Sequence, residues 1–509
     1  MKKTGRLLFS LLLVLAVLSG TVWASAASAE PKTYTFVSEL NAGDVHLGVI
    51  TGMAVESYYE EFTPKAELLY FNNLTDVLFA IQNGQLDGFL TDMPLAKYVA
   101  IHAEGVRCID EEVGKKMDTA FVFGKTDFSR KIREEFNEFL AGIKSDGMLD
   151  EIFDLWYGTD EEKQVLDYPT EGKNGVVKAC VSAESAPATF VKDGKPVGFE
   201  VDMLVRFCKK YGYGLELSGI DFSALLNGVT SGRYDLAAGY ISVTEERKES
   251  VDFSDPYLSS GLMMVVRDTV SETGFWGGLA KSFERTFIKE DRWKLIVEGI
   301  GTTLIISLCS ALIGTLLGFG LCLLRRMNNK VVYGATTVYI RLLQGTPLLV
   351  LLMILYYIVF AKTGMHGVFV AIIAFSLNFA AYVCEMFRTG IDGVDRGQTE
   401  AALAIGFTKQ QTFFRIVLPQ AATRFLPVYQ GEFISMLKMT SIVGYIAVQD
   451  LTKMSDIIRS RTYEAFFPLI ATAIIYFVLS ALLTSLLKAI MVKIEPKRQN
   501  RKVKGVKML

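Results

Sequence analysis

Five long apolar runs fill the C-terminal part of this 509-residue chain, and they restrict its fold more than any other feature. They occupy roughly 296–324, 333–361, 367–390, 425–448 and 466–491, each near the twenty or so residues a helix needs to cross a bilayer. A lipid interior offers no water to satisfy backbone N–H and C=O groups, so such runs predict a bundle of α-helices. A hydrophobic share of 50% and a mean hydropathy of +0.30 agree with that expectation. Basic residues give the bundle a direction, because they collect on the cytoplasmic side. Arg325, Arg326 and Lys330 follow the first run, and Arg388, at the end of the third, together with Arg396, Lys409, Arg415 and Arg424, surrounds the segment between the third and the fourth. The tail after the fifth carries Lys493, Lys497, Arg498, Arg501, Lys502, Lys504 and Lys507. These three regions are expected inside. The loops near Lys362 and at 449–465, and everything before the first run, are expected outside.

Residues 1–29 read as a secretory signal. Lys2, Lys3 and Arg6 precede a short apolar run, and Ala27-Ser28-Ala29 forms a small-residue cleavage site. Export of the residues beyond Ala29 agrees with the direction set by the basic residues. Residues 30–270 alternate short apolar strands with amphipathic helices, an α/β pattern. An internal echo is visible there: Leu78, Ile81, Gly84 and Asp87 recur at the same spacing as Leu226, Val229, Gly232 and Asp235. Each copy predicts a helix, a glycine stop and a strand. Ligands of open α/β sheets bind beyond the carboxyl ends of strands, so two copies suggest two lobes that offer strand-end loops to one cleft. The net charge of -2 gives no footing for a nucleic-acid partner. The six cysteines include no Cys-x-x-Cys pair, and three widely separated histidines offer no metal cluster.

Between the third and fourth runs lies Glu400-Ala401-Ala402, followed by Gly406 and then by Ile416-x-Leu418-Pro419. Ala401, Ala402 and Ala404 favour a helix with little side-chain bulk, which can approach another protein closely. Gly406 suits a helix C-terminus and Pro419 a helix start. The stretch resembles the EAA loop of the membrane-spanning subunits of bacterial ABC importers, with every fixed position at the family spacing. Gln344-Gly345-Thr346-Pro347, the Tyr382–Arg388 stretch and Leu437–Ser441 are similar to polar-amino-acid permeases.

The α/β half is similar to the two-lobed periplasmic amino-acid-binding proteins of those importers. Residues 175–270 resemble the first, larger lobe, 30–127 the second, and 128–160 the closing helices that return to the first. The lobes therefore stand in reversed order, as in a circular permutation joined through a linker at 161–174; two half-domains each completed by another chain are the alternative. Residues 271–294 connect to the permease part, 295–492, and 493–509 form the basic cytoplasmic tail. The resulting fold class is a multidomain chain: a two-lobed α/β binding domain followed by an all-α permease domain of about five spans.

The resemblance implies a site for an α-amino acid. Arg247 would take the carboxylate, for which its forked guanidinium is suited. Ser242 and the backbone N–H near Tyr240 would assist, and Asp92 would take the ammonium. Phe222 would form an aromatic wall, and the turn Gly52-Met53-Ala54 would grip the carboxylate from the second lobe. The second aromatic wall expected near Ser185 is absent, so the side-chain pocket departs from the family pattern. In the membrane, Glu385 and Lys438 are candidates for the transport route, Glu385 with an alternative pairing to Arg388. Glu400, Ala401, Ala402 and Gly406 would meet the ATPase. No Gly-x4-Gly-Lys-Ser/Thr motif occurs, so the resemblance implies a separate ATPase dimer that carries ATP and magnesium, with no cofactor in this chain and no enzymatic activity of its own. It also implies a second permease copy or homologue, an amino-acid substrate and a home in the cell membrane. The alternative function is a ligand-gated channel or sensor with a flytrap domain. Glutamate-receptor-like channels place the pore between the lobes, whereas here the membrane runs come after both.

Overall fold

The computed structural model describes residues 32–158, 166–192, 194–268, 280–327, 329–464 and 466–494. The signal segment, residues 161–165 of the linker, residues 271–279 of the connector and the basic tail from residue 495 on lie outside the described residues. The chain divides into two compact units. The first holds the residues up to Leu217, Asp235–Thr286 and Arg459–Phe467; the second holds Ser218–Tyr234, Phe287–Ile458 and the residues from Pro468 on.

The first unit is built on strands that are, in chain order, β1 (His46–Ile50), β2 (Glu67–Phe71), β3 (Gly88–Asp92), β4 (Val106–Thr119), β5 (Val122–Phe123), β6 (Val176–Ser182), β7 (Glu184–Ser185), β8 (Thr189–Lys192), β9 (Lys195–Val197), β10 (Gly214–Ile220), β11 (Leu236–Ala238), β12 (Asp252–Phe253) and β13 (Leu258–Arg267). They form a five-stranded sheet of order β2-β1-β3-β13-β4, a second of order β10-β6-β11-β5-β12, and a small sheet β7-β8-β9. Within the first sheet β1 runs parallel to β2 and β3, while β13 is antiparallel to β3 and β4. In the second, β11 is parallel to β6 and antiparallel to β5. Each large sheet thus borrows from a distant part of the chain: β13, the last strand, joins the first four, and β5 joins strands that come well after it. Two separate segments connecting the same pair of sheets are the arrangement expected of a two-lobed domain.

The alternation in β3 is absent: all five residues, Gly88–Asp92, are buried, as a strand covered on both faces requires. Gly88 sits so close to β13 that a Cβ would stand 2.7 Å from the Val265 carbonyl oxygen. Around the second sheet one core gathers Ile132, Phe136, Phe139, Ile143 and Trp156 from the helices Asp127–Ser145 and Met148–Tyr157. They meet Val177, Ala179 and Val181 of β6 and Phe199 and Phe207 of the helix Phe199–Tyr211. Buried Trp156 donates its indole N–H to Asp202 at 3.0 Å, which gives that polar edge a partner inside the core. The two helices after β5 therefore pack on the second sheet rather than the first.

Among the described residues, three helices are long and apolar enough to cross a membrane: Trp293–Arg325, Gly367–Asp392 and Phe467–Val492. Two bent pairs bring the count to as many as five. One pair, Lys330–Gly345 with Leu348–Val359, turns through 107°; the other, Lys409–Ile446 with Leu451–Thr462, through 54°. The run expected as the second span is bent at Thr346-Pro347, where proline disfavours helix in the residue before it and supplies no N–H. The expected outer loop at 449–465 is largely helix, Leu451–Thr462. Asp450 starts it by accepting from the Lys453 N–H at 3.0 Å and the Thr452 N–H at 3.1 Å, and Asp450, Lys453 and Ser455 are buried.

Close approach of Trp293–Arg325 and Gly367–Asp392 rests on small residues. A Cβ at Gly314 would lie 2.9 Å from the Ser376 carbonyl oxygen, and one at Gly318 would lie 2.7 Å from that of Ala380. Glycine at such points lets helices touch backbone to backbone where lipid provides no hydrophobic drive.

Candidate functional site

Asp92 ends β3 and begins the next helix, Met93–His102, where its carboxylate accepts from the Leu95 N–H at 3.0 Å. It is 7% exposed. The second lobe's strand end is thus a helix cap as well as a candidate anion for an ammonium group. From the other sheet, β11 ends at Ala238, and Gly239-Tyr240 turns the chain with Tyr240 at φ 64°. This left-handed conformation is uncommon for a tyrosine and sends the side chain across to the first sheet. The Tyr240 hydroxyl donates to Asp92.

The Tyr240 backbone N–H, expected to help hold a carboxylate, instead donates to Glu200 Oε2 at 3.0 Å. Glu200 is fully buried and also accepts from the Tyr257 hydroxyl at 2.8 Å. Sequence reasoning passed over Glu200. An acid in the first turn of a helix reads as a macrodipole partner, and only its position between core residues Phe199 and Val201 signals burial.

Arg247 lies in the helix Glu245–Ser250, capped by Thr244. Its guanidinium donates to the Ser242 carbonyl at 2.7 Å and to the Gly52 carbonyl at 2.5 Å. Gly52 stands in the turn after β1 at φ 86°, and the Met53 N–H closes that turn onto Ile50 at 3.0 Å. The helix beyond the turn begins only at Glu56, with Val55 as its N-cap, so Met53 and Ala54 lie ahead of it. Ser242 is buried and joined to Thr119 through an isolated β-bridge. Two contacts thus reach from the second sheet's side to the ends of the first sheet's strands: Tyr240 to Asp92, and Arg247, with Ser242, to Gly52. Phe222 opens a short helical turn, Phe222–Ala224, in the second unit.

Burial dominates the electrostatics. It pushes the Asp92 carboxyl up to about 6 against the hydrogen bonds that favour its ion, and Glu200 up to about 7. The same loss of water lowers Arg247 from its ordinary value. Two buried acids and one desolvated arginine make a site whose charges lack solvent compensation. In the structure each meets neutral partners instead: phenols on the carboxylates and backbone carbonyls on the guanidinium.

In the second unit Glu385 is ion-paired with Arg325 and, at 2.6 Å, with Arg388, so its carboxylate is engaged on both sides. Lys438 is exposed in the last turn of the helix Leu418–Met439. Glu400 and Ala401 are exposed and Ala402 is buried on the helix Arg396–Ala404. Gly406, at φ 92°, ends that helix: its N–H bonds to the Leu403 carbonyl and the Phe407 N–H to the Ala402 carbonyl, both at 3.1 Å. These two bonds form a Schellman motif. Thr408 and Gln411 then cap the next short helix reciprocally. Leu403, Ile405 and Phe414 remain exposed around this turn.

The apolar helices and bent helix pairs of the second unit are those of a multi-pass membrane protein. Residues 310–495 match the family of binding-protein-dependent transport system inner membrane components. An arginine transport system permease protein of Bacillus subtilis is 36% identical over 197 residues, which are 38% of this chain and 90% of the relative. An L-cystine transport system permease protein of the same organism is 34% identical over 199 residues, 39% of this chain and 85% of the relative. A solved structure of an amino acid ABC transporter shares 33% identity, covering 44% of this chain and 100% of its own, with a TM-score of 0.38. The chain belongs to the family of ABC importer permeases, as a multi-pass inner-membrane subunit that is not itself an enzyme.

Proposed function

We propose that this chain combines receptor and permease of an ATP-driven importer for polar amino acids. The permease reading rests on the family match and on relatives that carry amino acids. The receptor reading is supported by two contacts between the sheet regions: the Tyr240 hydroxyl on Asp92, and the Arg247 guanidinium, also held by the Ser242 carbonyl, on the Gly52 carbonyl. A zwitterion would take bidentate bonds from Arg247 to its carboxylate and an ion pair from Asp92 to its ammonium. Sheets that exchange strands in two places support the two-lobed, permuted reading of residues 30–270.

Substrate binding outside would precede passage through the bundle. The exposed turn around Glu400, Ala401, Ala402 and Gly406, with Leu403, Ile405 and Phe414, offers the apolar face on which a separate ATPase dimer would close. ATP and magnesium belong to that partner, and a second permease copy would complete the path. Lys438, exposed in the last turn of its helix, is the residue best placed to face that second copy or the route. Glu385, held by two arginines, acts as structural support.

Isothermal titration of the full chain in nanodiscs against the twenty amino acids tests this reading. One polar amino acid should bind, and Arg247→Ala should abolish the heat while leaving the protein folded. Binding that survives Arg247→Ala refutes the assignment of the carboxylate site.

A further inference from the structure

A cavity of 320 Å³ opens at the end of the first span, between the helices Trp293–Arg325, Lys330–Gly345 and Gly367–Asp392. Cys322, Arg325, Arg326, Tyr333, Arg388 and Asp392 line it. We propose that this cavity binds the phosphate of an anionic phospholipid headgroup.

Charge is the first argument. Arg325 and Arg388 share Glu385, and Arg326 pairs with Asp392 at 2.7 Å. Three guanidiniums thus face two carboxylates, so one positive charge stays uncompensated. Arg325 is only 11% exposed, and its Nε is buried with no hydrogen-bond partner. Tyr333 stacks 5.1 Å from the Arg325 guanidinium and steadies its plane.

Position is the second argument. At 1.5 Å per residue the 33-residue helix Trp293–Arg325 is about 50 Å long, well beyond a hydrocarbon core of about 30 Å. Its last turn therefore stands at headgroup level. Leu323, Leu324 and Val331, close in sequence to the lining residues Cys322, Arg325 and Tyr333, are exposed and offer a surface for acyl chains. A polar cavity continuous with an apolar flank suits a lipid, in which both halves occur in one molecule; basic pockets between spans are a recognised form of lipid site. Under the orientation set by the basic residues this is the inner leaflet.

The test uses the full chain in detergent, titrated with phosphatidylglycerol or phosphatidylcholine and read by native mass spectrometry. The wild type should retain phosphatidylglycerol in preference to phosphatidylcholine. The double variant Arg326→Gln/Arg388→Gln should bind phosphatidylglycerol about tenfold more weakly, the loss expected from a charge-assisted bond. The double variant Arg326→Lys/Arg388→Lys should keep most of the binding, and Arg415→Gln, a basic residue outside the cavity, should keep all of it. Unchanged retention by the glutamine variant overturns the proposal. Equal loss in the lysine variant overturns it too, because the change would then be one of fold and not of charge. Displacement of phosphatidylglycerol by millimolar inorganic phosphate would show a site for the free ion and overturn the lipid assignment.

Discussion

Replacing Asp92 with asparagine should abolish a pH dependence built into the first unit. Asparagine keeps the oxygen that caps the helix Met93–His102 and is as good an N-cap as aspartate, so the change removes the titration and spares the local geometry. Burial raises the Asp92 carboxyl from 3.8 to about 6. The folded state therefore holds its proton more tightly than the unfolded chain does. Stability from this source is complete below about pH 4 and is lost as the pH rises through 6, where the buried group ionises. Two pKa units correspond to about 3 kcal/mol, or roughly a hundredfold in a local opening equilibrium. Hydrogen exchange of the full chain, corrected for intrinsic rates and followed over residues 88–102 between pH 4 and pH 7, measures it. Wild-type protection should fall with rising pH across that window, and Asp92→Asn should flatten the curve. The same fall in both proteins would refute the argument, and would move the effect to Glu200, whose carboxyl is pushed up to about 7.

Further substitutions test other elements. Glu400→Lys should abolish ATP-driven uptake in proteoliposomes while titration still detects amino-acid binding; loss of both would make the residue merely structural. Gly406→Ala forces a Cβ into a left-handed position and should cost about 1 kcal/mol, seen as faster amide exchange over Arg396–Ala404. Gly318→Leu should cost about 1–3 kcal/mol by overpacking against Ala380 and Val383, read as a lower thermal midpoint in detergent.

Hydropathy alone made the membrane region legible, because each apolar run is long and bilayer thickness fixes what length means. It failed where polarity and burial part company. Lys453, Asp456, Arg459 and Arg461 give residues 449–465 the look of a loop, yet Asp450 caps a helix there and Lys453 and Arg459 are buried. The 107° bend could be read in part from Pro347, which breaks a helix without saying how far the chain turns. In the α/β half, only the resemblance to amino-acid-binding proteins singled out Arg247 and Asp92, because by residue type alone an arginine after two glutamates reads as a solvated helix residue and a loop aspartate as a helix cap. Residue types could not reveal which partner each finds. That depends on Tyr240 at φ 64°, a conformation no residue-level preference would assign to tyrosine.

The Tyr240 phenol on Asp92 and the Arg247 guanidinium on the Gly52 carbonyl have a thermodynamic consequence. A ligand bonding to Asp92 and Arg247 must first displace groups tethered to the same chain, which act as a competitor at high effective concentration. Under the proposed function, affinity is then a difference between two sets of bonds. Tyr240→Phe, which removes one arm of that internal competitor, should tighten ligand binding instead of weakening it.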